Sequence, residues 1–150
     1  IMRLSKVLKN QTIMFILMVL VGMAFNPMNV LAYRLNDLYV SYTLFYGGLL
    51  MASNMIWAHE IYHLLAFRHF NVYVFGIGIC MSLLVTYGLL RNQFMVNDTQ
   101  WLKRMISHHS TALTTSHNIY EKTNDPRIKK LAFDIIETQE REISLMKSFI

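Results

Sequence analysis

The sequence predicts an all-α protein with two parts: three transmembrane helices, then a soluble antiparallel helical hairpin. Three observations predict it. Hydrophobic residues make up 54% of the 150-residue chain and charged residues 15%, more apolar surface than one small soluble core can use. Three long stretches carry almost no charge, at about residues 12–33, 38–67 and 72–91. From Asn97 the composition changes abruptly, with fifteen charged residues between Asp98 and Lys147 and no long apolar run. A membrane domain (1–93) is therefore expected before a soluble two-helix domain (94–150).

A helix needs about 20 apolar residues to cross the hydrocarbon region of a bilayer. The first stretch follows Arg3, Lys6 and Lys9 and runs apolar from Ile13 to Phe25. A signal peptide has the same layout; the segment reads as a retained transmembrane helix, kinked or ended near Pro27. Gly47-Gly48 and Gly76-x-Gly78 fall in the second and third stretches, outside any strand-loop-helix context that could cradle phosphate. Their small size is expected to permit close helix packing.

Six basic residues lie in the first 91, mostly flanking the apolar stretches. The net charge of +5 thus reads as membrane topology, and nucleic acid is excluded as a partner. With the N-terminus inside, Arg3, Lys6, Lys9 and Arg68 lie on the cytoplasmic side while Arg34 and Arg91 lie outside. That bias favours an extracytoplasmic C-terminal domain. Cys80 is the single cysteine, so no disulfide or Cys-based metal site forms within one chain.

In the soluble part, Asp98 and Thr99 can cap a first helix. Along it Trp101, Met105, His109, Ala112, Leu113, Ser116 and Tyr120 recur at helical spacing. Asp125-Pro126 supplies an N-cap and a first-turn proline for the next helix. There Ile128, Leu131, Ala132, Ile135, Ile136, Gln139, Ile143, Met146 and Ile150 form the expected inward stripe. In a hairpin, residues equally far from the turn face each other, so Met105 is expected near Met146 and His109 near Glu142. Two such helices bury too little alone. A second copy, the membrane helices or a partner subunit is expected to complete the packing.

Met105, His108 and His109 lie three and four residues apart, which puts a thioether and an imidazole on one helical face. Thioethers with imidazoles suit copper, above all Cu(I), better than hard cations. The candidate metal ligands are Met105, His108, His109, Glu142 and Met146, with Glu142 a ligand or the carboxylate that orients an imidazole. On spacing alone, Met105 and His109 are equally ordinary core residues, and methionine is a common gap-filler.

The pattern Asp98, Trp101, Met105-Ile106, His108-His109, Ala112-Leu113, Asp125-Pro126, Leu131-Ala132, Ile135-Ile136, Gln139, Glu142-Ile143 and Met146 resembles the bacterial family called domain of unknown function 305. The resemblance implies a ferritin-like helical fold, here a half-bundle. It also implies copper binding through Met and His, as in some secreted members, and three membrane helices before the domain, as in many relatives. Such a relative places the protein in a bacterial inner membrane with its C-terminal domain periplasmic. Many members have Met and Ala where this chain has Thr115 and Ser116; His117, one residue on, can substitute as a ligand.

His59-Glu60-Ile61-Tyr62-His63 matches the H-E-x-x-H pattern of zinc proteases, whose chemistry also needs a third ligand and a cleft. Met51, Met55, His59 and His63 recur every four residues, which makes His59 and His63 lower-ranked metal positions. The plainer reading seats them at the membrane interface beside Tyr62 and Trp57. No nucleophile has an orienting base, so no enzyme is expected. Two functions follow: a membrane-anchored protein for copper binding or tolerance, or a non-catalytic assembly subunit of a larger membrane complex or membrane-containing particle that uses the hairpin for docking.

Overall fold

A computed structural model describes residues 2–150. The described residues contain helices and no strand, as the all-α expectation requires. In chain order they are α1 (Met2–Ala24), α2 (Pro27–Val30), a 3-10 turn (Leu35–Asp37), α3 (Tyr42–Phe67), α4 (Val72–Leu83) continued by a π-helical segment (Leu84–Arg91), α5 (Asp98–Lys122) and α6 (Pro126–Ser148). They form two compact units. The segment ending at Ala24 groups with Thr43–Met95, and Phe25–Tyr42 groups with Val96–Ile150. The stretch between α1 and α3 therefore packs with the C-terminal helices, although the sequence boundary assigned it to the membrane part.

Arg3–Val30, whose last six residues belong to the second unit, and Val72–Arg91, within the first, are long and apolar enough to cross a membrane. The second range coincides with the expected third span. The first starts at the chain's basic end, and its long helix stops at Ala24, two residues before Asn26 caps α2 and Pro27 opens it. The expected span 38–67 is corrected. α3 is 26 residues long, yet Asn54, His59, Glu60 and His63 interrupt its apolar run, and residues 38–41 are not helical. That leaves two stretches among the described residues that meet the requirement, not three.

The polar residues of α3 have local partners. Trp57 Nε1 donates to Ser82 Oγ at 3.1 Å, and Ser82 Oγ donates to Asn54 Oδ1 at 2.8 Å, a polar clamp between α3 and α4. Glycine lets these helices approach. A Cβ on Gly48 would lie 2.7 Å from Val19 O in α1, and one on Gly78 would lie 2.8 Å from Trp57 N in α3. Gly47 and Gly76 face open space, so one glycine of each pair does the packing. After α3, Arg68 takes φ 51 and Asn71 caps α4 by accepting from Tyr73 N and Val74 N.

In the second unit Asn97, one residue before the expected cap, accepts from Gln100 N at 3.0 Å and starts α5. Asp125 caps α6 as expected, accepting from Arg127 N at 2.9 Å with Pro126 next. α5 and α6 pack along their length around buried Ile106, Leu113, Ile143 and Met146. Contacts run from Tyr120 against Phe133 near the connection to His109 against Glu142 farther from it. The expected inward stripe on α6 is too wide. Ala132, Ile143 and Met146 are buried, whereas Ile128, Leu131 and Ile150 are exposed: α5 covers only a narrow arc of α6, and Ile150 lies beyond the helix end.

Residues 25–42 form a strap over α5 and α6. Thr111 Oγ1 donates to Met28 O at 3.1 Å, Tyr33 N to Ser110 Oγ at 2.8 Å and Tyr42 N to Gln100 Oε1 at 2.9 Å. Arg34 grips Glu140 through two nitrogens, at 3.0 and 2.5 Å. Under the strap Asp37 is fully buried. Its carboxylate accepts from Ser110 Oγ at 2.8 Å and pairs with Lys147 Nζ, while its carbonyl accepts from Ser107 Oγ at 3.0 Å.

Candidate functional site

His109 comes to the α5–α6 seam because positions 102, 106, 109 and 113 share one face of α5 at helical spacing. The residue is buried at 8% exposure. Nε2 lies 2.7 Å from Glu142 Oε2; an ionised carboxylate only accepts, so Nε2 carries the proton and donates. Nδ1 is buried with no hydrogen-bond partner among the described residues. A neutral imidazole held in that tautomer has its free lone pair on Nδ1.

The two thioethers of the candidate set belong to the adjacent apolar core. Met146 is buried in the cluster with Ile106, Leu113 and Ile143, and Met105 packs against that cluster. The expected pairing of His109 with Glu142 is present, and Met105 and Met146 share one cluster. His108 is exposed, with its ring tilted at 68° to that of His109. Its pKa is lowered from 6.5, first by desolvation and then by His109 and Arg104. Arg104, on the same face one turn earlier, contacts Met28 Sδ and has its own pKa lowered by burial.

His117 does not join this group: its ring stacks on Tyr33 of the strap, with centroids 4.7 Å apart and planes at 12°. His59 and His63 sit in the other unit, their rings 5.9 Å apart. Between them Glu60 is buried and accepts from Asn71 N at 2.9 Å, so it braces the turn into α4. Among the described residues no group of three or more His, Cys, Asp or Glu is placed to hold a metal ion.

Sequence reasoning missed Asp37, Ser107, Ser110 and Lys147, the buried polar network under the strap. Asp37 lies in a run with no periodicity, next to an apolar stretch that reads as membrane. The one available signal was a lone carboxylate between Arg34 and the long apolar segment starting at Leu38.

Residues 88–150 match the family profile described as domain of unknown function (DUF305). "Uncharacterized protein L153" of Acanthamoeba polyphaga mimivirus is 35% identical to this chain over 127 residues, 83% of this chain and 81% of the relative. The chain belongs to the DUF305 family. The matched DUF305 range begins inside the π-helical segment and takes in all of α5 and α6. It therefore covers His109, Glu142 and both core methionines, while the relative extends the likeness into the first unit. No solved structure matches the chain.

Proposed function

We propose that the protein is a membrane-anchored metal-binding protein whose C-terminal helices form an antiparallel hairpin holding a soft transition-metal ion, copper as Cu(I). The observation that carries this reading is the Nδ1 of His109, buried with no partner among the described residues, on a ring oriented through Nε2 by Glu142. Burying a polar atom without a partner is unfavourable, and a metal ion satisfies an imidazole lone pair. Met105 and Met146 supply soft thioethers from the neighbouring cluster, a donor type that selects Cu(I). Glu142 serves as the orienting carboxylate rather than a ligand. His108, exposed on the outer side, is a second-rank donor for ion entry. The role is binding and handing on metal, with no catalytic step.

α1, which makes up most of the apolar stretch Arg3–Val30, and Val72–Arg91 supply the anchor. Two crossings return the chain to its starting side. The expected periplasmic placement, which needs three, is not carried forward. The mimivirus relative gives no ground for a bacterial inner membrane either.

The test is a Cu(I) competition titration of the detergent-purified full chain against a chromogenic chelator. One equivalent is expected to bind the wild type. Met105→Leu/Met146→Leu, which nearly conserves core volume, is expected to bind at least a hundredfold more weakly. No competition by the wild type, or equal competition by the variant, overturns the reading. The assembly-subunit alternative draws on a different observation, the uncovered side of α5 and α6.

A further inference from the structure

The α5–α6 pair has one covered side and one open side. On the covered side, Gln100, Ser107, Ser110, Thr111, Glu140 and Lys147 meet the strap. None of these belongs to a second set of positions. On α5, Trp101, Met105, His108, Ala112, Thr115 and Ile119 follow one another at alternating steps of four and three. On α6, Leu131, Ile135, Thr138, Glu142, Leu145 and Phe149 do the same. Such spacing keeps one seam along a helix facing a partner helix. Yet Trp101 is 51% exposed, Leu131 56%, Leu145 53% and Phe149 65%.

Charge is sorted along the same lines. Of the fifteen charged residues between Asp98 and Lys147, Glu142 alone lies on these two stripes, and it is already bonded to His109. Loss of charge from the centre of a patch marks a protein interface. The one charge on the stripes is thus acidic, which an anionic lipid surface would repel.

We propose that this face docks a second copy of the chain, the two helix pairs closing into a four-helix bundle about a two-fold axis. A layer of two helices with four-three spacing is complemented by another layer of the same kind, and a two-fold contact uses the same patch on both subunits. Size agrees. Helices of 25 and 23 residues are about 35 Å long, and side by side about 9 Å apart they offer about 600 to 700 Å². A standard interface takes about 800 Å² from each partner. Met105 and Glu142 lie on the seam side of the two stripes, and docking needs no metal.

The test uses the full chain in detergent with a chelator present, so that it does not depend on copper. Light scattering is expected to give twice the chain mass. Leu131→Glu/Leu145→Glu, at positions already exposed, is expected to weaken association at least tenfold with helicity unchanged by circular dichroism. In a Cys80→Ser background, Ala112→Cys and Thr138→Cys, alone or mixed, are expected to give bismaleimide-linked dimers, while Glu137→Cys on the outer side of α6 does not. A monomeric wild type overturns the proposal. So does a dimer that survives the double substitution, which would place association elsewhere, or equal cross-linking from Glu137→Cys.

Discussion

Glu142 accepts from His109 Nε2 at 2.7 Å across the α5–α6 seam, and the opposite nitrogen of the same ring is buried without a partner among the described residues. The imidazole thus has a single polar attachment. Glu142→Ala removes it and leaves the ring wholly unpaired, a loss expected to be about 1–3 kcal/mol for a buried polar group. Glu142→Gln keeps a carbonyl acceptor and is expected to lose less. Urea unfolding of both variants, followed by helicity, checks the order; equal stability of Glu142→Ala and wild type would mean that water already reaches His109.

Asp37 ties the strap to both helices, through Ser110 and Ser107 on α5 and Lys147 on α6. Its complete burial makes it costly to remove alone, because Lys147 then loses its partner; breaking a buried pair costs about 3–5 kcal/mol. Lys147 retains some exposure, which puts Asp37→Ala toward the lower end, about 3 kcal/mol. Amide hydrogen exchange is the direct readout, with residues 25–42 expected to lose protection while the α5–α6 core keeps most of its own. Unchanged protection in the strap would contradict this account of the network.

The parts read correctly from sequence are those that periodicity controls. α5 and α6 announce themselves by caps, a proline at the first turn and apolar residues at steps of three and four. The same spacing brought His109 to Glu142 and Met105 into the cluster of Met146. What periodicity cannot give is how much of a stripe a neighbour covers, so Leu131 and Ile128 were placed inward although they are exposed. Nor does composition distinguish an apolar strap from the end of a membrane helix: residues 25–33 and 38–42 were absorbed into spans, and Asp37 was left in the short loop between them. α3 was over-read for a related reason, since its apolar residues outnumber Asn54, His59, Glu60 and His63, but those four lie together where a span must be uniform.

Asp125 gives a pH dependence of known sign. Its carboxylate is held below the usual 3.8, first by the Arg127 side chain and next by the Arg127 backbone N–H. A folded-state value below the unfolded one contributes stability that is complete above 3.8 and is lost as the pH falls through the folded value. Asp125→Asn retains a good N-cap but cannot titrate. Between pH 5 and pH 2.5 the wild type is therefore expected to lose more stability than Asp125→Asn, read as the difference in urea midpoints. Identical losses would show that the Asp125–Arg127 contact does not persist in solution.

The four paired glycines separate close approach from mere apolar filling. At Gly48 and Gly78 a Cβ would meet backbone atoms, Val19 O at 2.7 Å and Trp57 N at 2.8 Å, whereas at Gly47 and Gly76 it would meet nothing within 4 Å. Backbone cannot rotate aside as a side chain can, so alanine at 48 or 78 has to push helices apart and forfeit packing along the whole contact. Gly47→Ala and Gly76→Ala are expected to be neutral or slightly stabilising, since alanine favours helix over glycine by about 1 kcal/mol. Gly48→Ala and Gly78→Ala are expected to cost about 1–3 kcal/mol. Thermal inactivation of the four variants in detergent, scored as loss of the folded peak in size-exclusion chromatography, should split them two and two. A uniform response would show that the tight crossings of α1 with α3 and of α3 with α4 do not hold the first unit together.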